Sequence, residues 1–389
     1  MKLYQHFIRF IFVLALSASC VNISAQQLPK DSKLTIDEPL QKLGERLLKN
    51  KQGSIVAIEP STGRILALVS KDKLNDGINR AISETYSPGS TFKVAQALEM
   101  LTEGTLSPEV TYPCDEGFTF NDIRIGCHEH HSPLALVQAI GQSCNSYFCK
   151  AFQEMIDNRK AYSTKYKAIN RWDAYMKSMG LGSPLGIDLP GEKGGVIPDS
   201  AFLQNTHRSW NGTTIMWVGM GQGEVEVTPL QLCNLAALIG NRGYFYTPHI
   251  YEKNDVAKDF TKRRLCMASP YAFDIVIEGM RAAIENGTAE SINSDEYDIC
   301  GKTGTAENTG DDHSIFMGFA PMTNPQIAIS VYVENGGFGA DLSAPLAALM
   351  IEQYLNGELS EKSEHKAAKW EKKKVKITSV EVPLNLDDL

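Results

Sequence analysis

Residues 54–58 and 64–68 are two short apolar runs separated by the turn-rich Glu59-Pro60-Ser61-Thr62-Gly63, a pattern that predicts a β-hairpin. A second apolar pair, residues 314–320 and 326–334, is split by Pro321, Thr323, Asn324 and Pro325 and predicts another hairpin at the far end of the globular region. Between the two pairs, apolar positions recur with helical spacing over 90–102, 132–155, 228–239 and 272–285. Strands at both chain ends with helices between them predict an α+β fold, an antiparallel sheet assembled from both ends and covered by helices. No internal repeat interrupts the pattern.

The termini read differently from the middle. Lys2, His6 and Arg9 precede an apolar run at 10–18, and Ile23-Ser24-Ala25 offers a small residue before Gln26; residues 1–25 are therefore expected to be a cleaved signal peptide, followed by a leader at 26–33. The run is too short to span a bilayer comfortably, which favours cleavage over an uncleaved anchor. A single domain is expected over 34–358, and the strongly charged residues 359–389 are expected to form a loosely held, flexible tail.

Composition narrows the classes. The 389 residues are 43% hydrophobic, enough for a substantial core and incompatible with a disordered or fibrous chain. The net charge of -8 comes from 38 basic and 46 acidic residues without a broad cationic face, so nucleic-acid binding is not expected. Eight cysteines leave seven after signal cleavage. An odd number in an oxidising compartment requires at least one thiol to be free, metal-bound or intermolecular.

The candidate chemistry centres on Tyr86-Ser-Pro-Gly-Ser-Thr-Phe-Lys-Val94, where a Pro-Gly turn delivers Ser90 to a helix start with Lys93 one turn later. A serine hydroxyl is a weak nucleophile until a base takes its proton, and a partly desolvated lysine can be that base. Ser-x-x-Lys alone arises by chance on the order of once in a chain this long. Its company adds weight: Ser143-Cys144-Asn145 follows in an apolar helical region, and Gly301-Lys302-Thr303-Gly304-Thr305 precedes the last hairpin. Ser143 suits a proton relay and Asn145 a clamp for lysine and substrate amide. Lys302, Thr303 and Thr305 suit a substrate carboxylate beside an extended strand, with Gly304 admitting a ligand to the backbone.

Ser-x-x-Lys, Ser-x-Asn and Lys-Thr-Gly in this order are the signature of penicillin-binding proteins and class A β-lactamases. The chain resembles the class B, elongation-type enzymes called penicillin-binding protein 2, from about Leu34 to Glu352, including Gly186-Ile-Asp-Leu-Pro-Gly191, Gly221-Gln-Gly223, Thr228-Pro-Leu-Gln231 and Val333-Glu-Asn-Gly336. The resemblance implies a serine β-lactamase/penicillin-binding-protein-like transpeptidase fold and a D,D-transpeptidase acting outside the cytoplasm, in the periplasm or on the outer face of the membrane. It further implies acylation of Ser90 by a D-Ala-D-Ala stem peptide of peptidoglycan or by a β-lactam, an oxyanion held by the N–H groups of Ser90 and Thr305, no cofactor for catalysis, and partners in cell-wall synthesis. D,D-carboxypeptidase and β-lactamase activity are the enzymatic alternatives, and a non-catalytic penicillin-binding sensor is the alternative from another class. Three departures stand out: no amino-terminal pedestal is expected, the stretch from Ser70 to Asn79 before Asn79-Arg80-Ala81 is short, and a signal peptide takes the place of an anchor.

Cys114, Cys127-His-Glu-His-His131 and Cys144 concentrate soft ligands near the second motif. Two readings are open: a structural zinc on Cys114, Cys127, His130 and Cys144, with His128 or His131 as substitutes for His130, or a Cys114–Cys127 disulfide. Some relatives of the penicillin-binding-protein-2 type resemble zinc proteins in this region. His207, His249 and His313 are isolated and expected to be packing or surface residues.

Overall fold

Asp37 starts the fold by accepting the Leu40 N–H at 2.9 Å, which caps a helix that the sequence pattern did not predict. The computed structural model describes residues 33–120, 123–252, 260–308 and 310–377; the expected signal peptide, and the leader except for residue 33, lie outside the described residues. In chain order the elements are α1 (Glu38–Leu47), β1 (Gly53–Ile58), β2 (Ile65–Lys71), α2 (Lys93–Thr102), β3 (Gly117–Phe120) and β4 (Ile123–Gly126). Then come α3 (Leu136–Gly141), α4 (Asn145–Ile156), α5 (Lys165–Ser178), α6 (Ser200–His207), α7 (Met216–Gly219) and α8 (Pro229–Gly240). The chain continues through β5 (Tyr244–Phe245), β6 (Arg264–Leu265), α9 (Pro270–Glu285), β7 (Cys300–Ala306), β8 (His313–Ala320), β9 (Ile327–Val333), α10 (Ser343–Asn356) and α11 (Glu361–Lys372).

The main sheet has the strand order β2-β1-β9-β8-β7, antiparallel throughout. The predicted amino-terminal hairpin is thus joined to the carboxy-terminal strands through β1 and β9. Side chains alternate between two cores, as a pleated strand requires. Ile327, Ile329, Val331 and Val333 pack with α1 and α10, whereas Ala328 and Tyr332 face the helical side with Val94, Leu98 and Leu235. Both faces are covered, so every residue of β9 is buried, including Ser330, whose hydroxyl donates to the Pro229 carbonyl at 2.7 Å. Helix α8 is buried on every side, and its start is fixed by a capping box. Thr228 and Gln231 exchange hydrogen bonds at 3.2 and 3.0 Å, which explains the Thr-Pro-Leu-Gln phrase.

Two expectations change. The helical pattern over 132–155 is two helices, α3 and α4, interrupted after Gly141 by Ser143 with φ at +55°. The charged stretch beyond 358 is not a loose tail through residue 377. Ser360 caps α11, Ser363 and Ala367 are buried, and Arg46 of α1 reaches Glu364 and Glu371. Partners more than 300 residues away in sequence satisfy a helix whose own composition reads as solvated.

Arg80, from the Asn-Arg-Ala phrase, is the hub of an ion network: Nε meets Glu334 at 2.8 Å, Nη2 meets Asp76 at 2.5 Å and Nη1 meets Asp72 at 3.5 Å. Its side chain is 4% exposed and that of Glu334 15%, and the Tyr86 hydroxyl donates to the same carboxylate at 2.7 Å. Removing one member strands a buried charge. Arg80→Ala is predicted to cost roughly 3 kcal/mol in denaturant unfolding, whereas Lys42→Ala, which breaks the exposed Lys42–Glu38 pair, costs under about 0.5 kcal/mol; equal effects would contradict this assignment.

Candidate active site

The Pro-Gly turn becomes a 3₁₀ turn at Gly89–Phe92 that runs directly into α2. Gly89 has φ at +53°, donates to the Gly221 carbonyl at 2.9 Å, and lies so close to β7 that a Cβ would sit 2.6 Å from the Thr305 carbonyl oxygen. Only glycine satisfies both conditions. Residues i and i+3 eclipse on a 3₁₀ turn, which sets half-buried Ser90 and Lys93 on one side, with the Lys93 N–H donating to the Ser90 carbonyl.

Lys93 is fully buried. Its Nζ donates to the Ser143 carbonyl at 2.7 Å, to Ser143 Oγ at 3.3 Å and to Asn145 Oδ1 at 2.6 Å. Burial lowers its pKa to about 8, against an opposing pull from the thiols of Cys127, Cys149 and Cys144. A neutral amine is therefore accessible near neutral pH. The left-handed conformation of Ser143 turns both its carbonyl and its hydroxyl to the lysine, a local strain of the kind concentrated at functional sites. Asn145 begins α4 and is held from the other side by its Nδ2–H donating to the Gly126 carbonyl at 2.6 Å.

The third motif lies on β7, at the edge of the sheet. Thr303 and Thr305 line a cleft of about 170 Å³ with Ser90, Ser143 and Asn145. Gly304 packs under the nucleophile turn, where a Cβ would come within 2.9 Å of Thr91 and 3.1 Å of the Pro88 oxygen. The Lys302 side chain is fully buried on the strand face it shares with Gly304 and donates to the Thr303 carbonyl at 3.0 Å, and burial, reinforced by the charge of Lys93, pushes its pKa well down.

The structure thus brings Ser90, Lys93, Ser143, Asn145, Thr303, Gly304 and Thr305 together, with Lys302 buried on the same strand as the last three. Sequence reasoning missed other walls of the cleft: Trp217, Met220 and Gln222 around the Gly-Gln-Gly phrase, Glu307 and Asp312 beyond β7, and His128 facing Phe338 edge-on at 6.0 Å. Only Gln222 carried a signal, as the centre of Gly221-Gln-Gly223. The others arrive through tertiary packing.

Cys114, Cys127, His130 and Cys144 place their ligand atoms within 4.8 Å of one another. The seven described cysteines are free thiols, so Cys114 and Cys127 share a four-residue cluster and no disulfide. His130 Nδ1 lies 2.7 Å from the His131 carbonyl and its Nε2 lies 3.4 Å from Cys127 Sγ. The hydrogen bond with Cys144 draws the Cys127 pKa down and that of Cys144 up. The Asn145 N–H donates to Cys127 Sγ at 3.2 Å, linking the cluster to the second motif.

A sequence profile described as "Penicillin binding protein transpeptidase domain" matches residues 53–352. "Peptidoglycan D,D-transpeptidase MrdA" of Acinetobacter baumannii is 29% identical over 84% of this chain and 54% of its own length; the chain spans little more than half of that relative. The crystal structure of Pseudomonas aeruginosa PBP2 in complex with WCK 5153 superposes with a TM-score of 0.73 at 30% identity, covering 85% of this chain and 78% of that one. The imipenem acyl-enzyme complex of penicillin-binding protein A from M. tuberculosis superposes at 0.68 with 25% identity, covering 83% and 79%. With the family profile matching three quarters of its length and its motif residues gathered around one cleft, the chain belongs to the penicillin-binding protein transpeptidases.

Proposed function

We propose that the protein is a peptidoglycan D,D-transpeptidase, exported and acting outside the cytoplasm, that forms an acyl-enzyme on Ser90 and is acylated by penicillin at the same atom. The observation that carries this reading is the environment of Lys93: a fully buried amine on the nucleophile turn, with three oxygen acceptors from Ser143 and Asn145. Among the described residues no carboxylate pairs with it. Lys51 is buried on neutral carbonyls too, but those of Leu47 and Trp370, outside the cleft; Lys93 alone of the two joins the nucleophile turn to the Ser143 and Asn145 side chains.

In this mechanism neutral Lys93 takes the Ser90 proton as Oγ attacks the carbonyl of the penultimate D-Ala. The oxyanion is met by the N–H groups of Ser90 and Thr305. Collapse breaks the amide bond, and the leaving D-Ala amine takes a proton relayed through the Ser143 hydroxyl. An acceptor amine then attacks the ester, forms the cross-link and returns the proton to Ser90. Thr303 and Thr305 take the substrate carboxylate, with buried Lys302 next to them on β7. The acyl-enzyme of the mycobacterial relative supports the first half of this scheme; attack by water in place of the amine would give a carboxypeptidase.

Turnover of a thioester analogue of D-Ala-D-Ala separates enzyme from sensor. The protein is expected to release thiol, Ser90→Ala to release none, and Lys93→Gln to be slower by about 10³-fold. Lys93 must be neutral, and its lowered pKa is about 8, so acylation should fall close to tenfold per pH unit below that value and level off above it. A flat profile from pH 6 to 9, or an undiminished Lys93→Gln rate, would remove Lys93 as the base.

We further propose that Cys114, Cys127, His130 and Cys144 hold a structural zinc. Three thiols and one imidazole suit tetrahedral zinc, and the contact of His130 Nδ1 with the His131 carbonyl leaves Nε2 toward the cluster. The metal would tie the β3–β4 flank to the start of α4 and so steady Asn145, with no part in bond making. Elemental analysis should find one zinc per chain, lost in Cys127→Ser with a lower melting temperature; metal-free protein carrying a Cys114–Cys127 disulfide would contradict the assignment.

A further inference from the structure

Helix α11 lies beyond residue 352, outside the stretch that the family profile matches, and its charges are sorted by face. Glu364 and Glu371 point at the body, where Arg46 binds both, at 2.5 and 3.0 Å, and Lys49 joins Glu371 at 3.1 Å. Ser363 and Ala367 are buried on the same side. Lys51, itself fully buried, donates to the Trp370 carbonyl at 2.6 Å and to the Leu47 carbonyl at 2.7 Å, which pins the two helices together.

The opposite face carries Lys362, Lys366, Lys369 and Lys373, at i, i+4, i+7 and i+11, all exposed. That spacing places them in one stripe along the helix. Lys372, Lys374 and Lys376 extend the charge past its end. Like charges at i, i+4 weaken a helix, so the stripe costs stability that alternating signs would avoid. The remaining carboxylate of the helix, Glu361, sits in the first turn, where the helix dipole favours it. Glu352 near Lys366 is already engaged by the Ser363 hydroxyl at 2.5 Å and the Ser360 N–H at 2.9 Å.

Beside the stripe a recess of about 330 Å³ is lined by Ile292, Tyr297, Leu349 and Trp370 with Lys366 and Lys369, and by the Glu352 carboxylate that Ser360 and Ser363 hold. Lys373 Nζ stands 4.9 Å over the Trp370 ring. A row of cations flanking a half-apolar recess with a tryptophan suits a surface that offers regularly spaced phosphates above hydrocarbon.

We propose that the α11 face docks on an anionic phospholipid bilayer, with the lysine stripe against the phosphates and the recess taking a headgroup. The rigid mounting of α11 on α1 would fix the orientation of the domain on the membrane. The stripe belongs to the α1/α10 side of the sheet, opposite the core that contains Phe92 and Val94 of the nucleophile turn, so the docking face and the cleft are separable.

The test is flotation of the full chain with phosphatidylglycerol:phosphatidylcholine (1:1) vesicles against phosphatidylcholine vesicles, so that any contribution of the apolar amino-terminal run is common to both lipids. The protein should prefer the anionic vesicles. The K362Q/K366Q/K369Q/K373Q variant should lose at least about tenfold of that preference, and the matching Lys→Arg variant should retain it; both should still be acylated by benzylpenicillin, which reports that the domain is folded. A preference that is absent in the unchanged protein, that survives the four glutamines, or that is replaced by binding to a soluble anionic glycan without vesicle binding would overturn the proposal.

Discussion

Burying an amine without a counter-charge is the condition on which the rest of the site depends. Lys93 lies in the main helical core, a position that would eject an ordinary lysine or force a carboxylate beside it. Three oxygens of neutral groups hold it instead. They stabilise the ammonium enough to keep the side chain in place, yet leave its pKa low enough for proton exchange near pH 8. Meeting that condition requires a carbonyl aimed across the cleft, and the chain obtains one by breaking the α3–α4 run at Ser143 in a left-handed conformation. The helical break and the lysine therefore form one structural feature.

The remaining pieces are arranged around that feature by close backbone approach. Gly89 and Gly304 let the nucleophile turn rest directly on the edge strand, so Ser90 and Thr305 border the same cleft. The sheet that offers this edge is complete only when β1, from the start of the chain, pairs with β9, from its end. Arg80 and Glu334 bind the same two regions electrostatically. A stable catalytic edge thus depends on contacts between residues more than 250 positions apart, and fold and site are coupled through them.

Much of this was legible in the sequence where local rules decide the outcome. Both hairpins followed from apolar runs around turn residues, and the α2, α8 and α9 helices from their periodicity. The order of the three motifs marked them as one set, and they converge on one cleft. What was not legible depended on distant partners. Gly141 closes α3 and is the one local mark of the helix break, but nothing in Gln142-Ser143-Cys144 announces the left-handed conformation of Ser143. The full burial of Lys302 was not legible either, because it depends on the packing of β7 against the nucleophile turn, which Gly304 on the same strand face contacts. Helix α11 read as solvated charge because its stabilising partners, Arg46 and Lys51, sit at the other end of the chain.

The central claim is that Ser90 becomes the acyl carrier, and intact-protein mass spectrometry after incubation with benzylpenicillin tests it most directly. The account predicts a persistent adduct of one penicilloyl group per chain, mapped by peptide digestion to Ser90. An adduct on another residue, or none with the drug recovered intact, would contradict it.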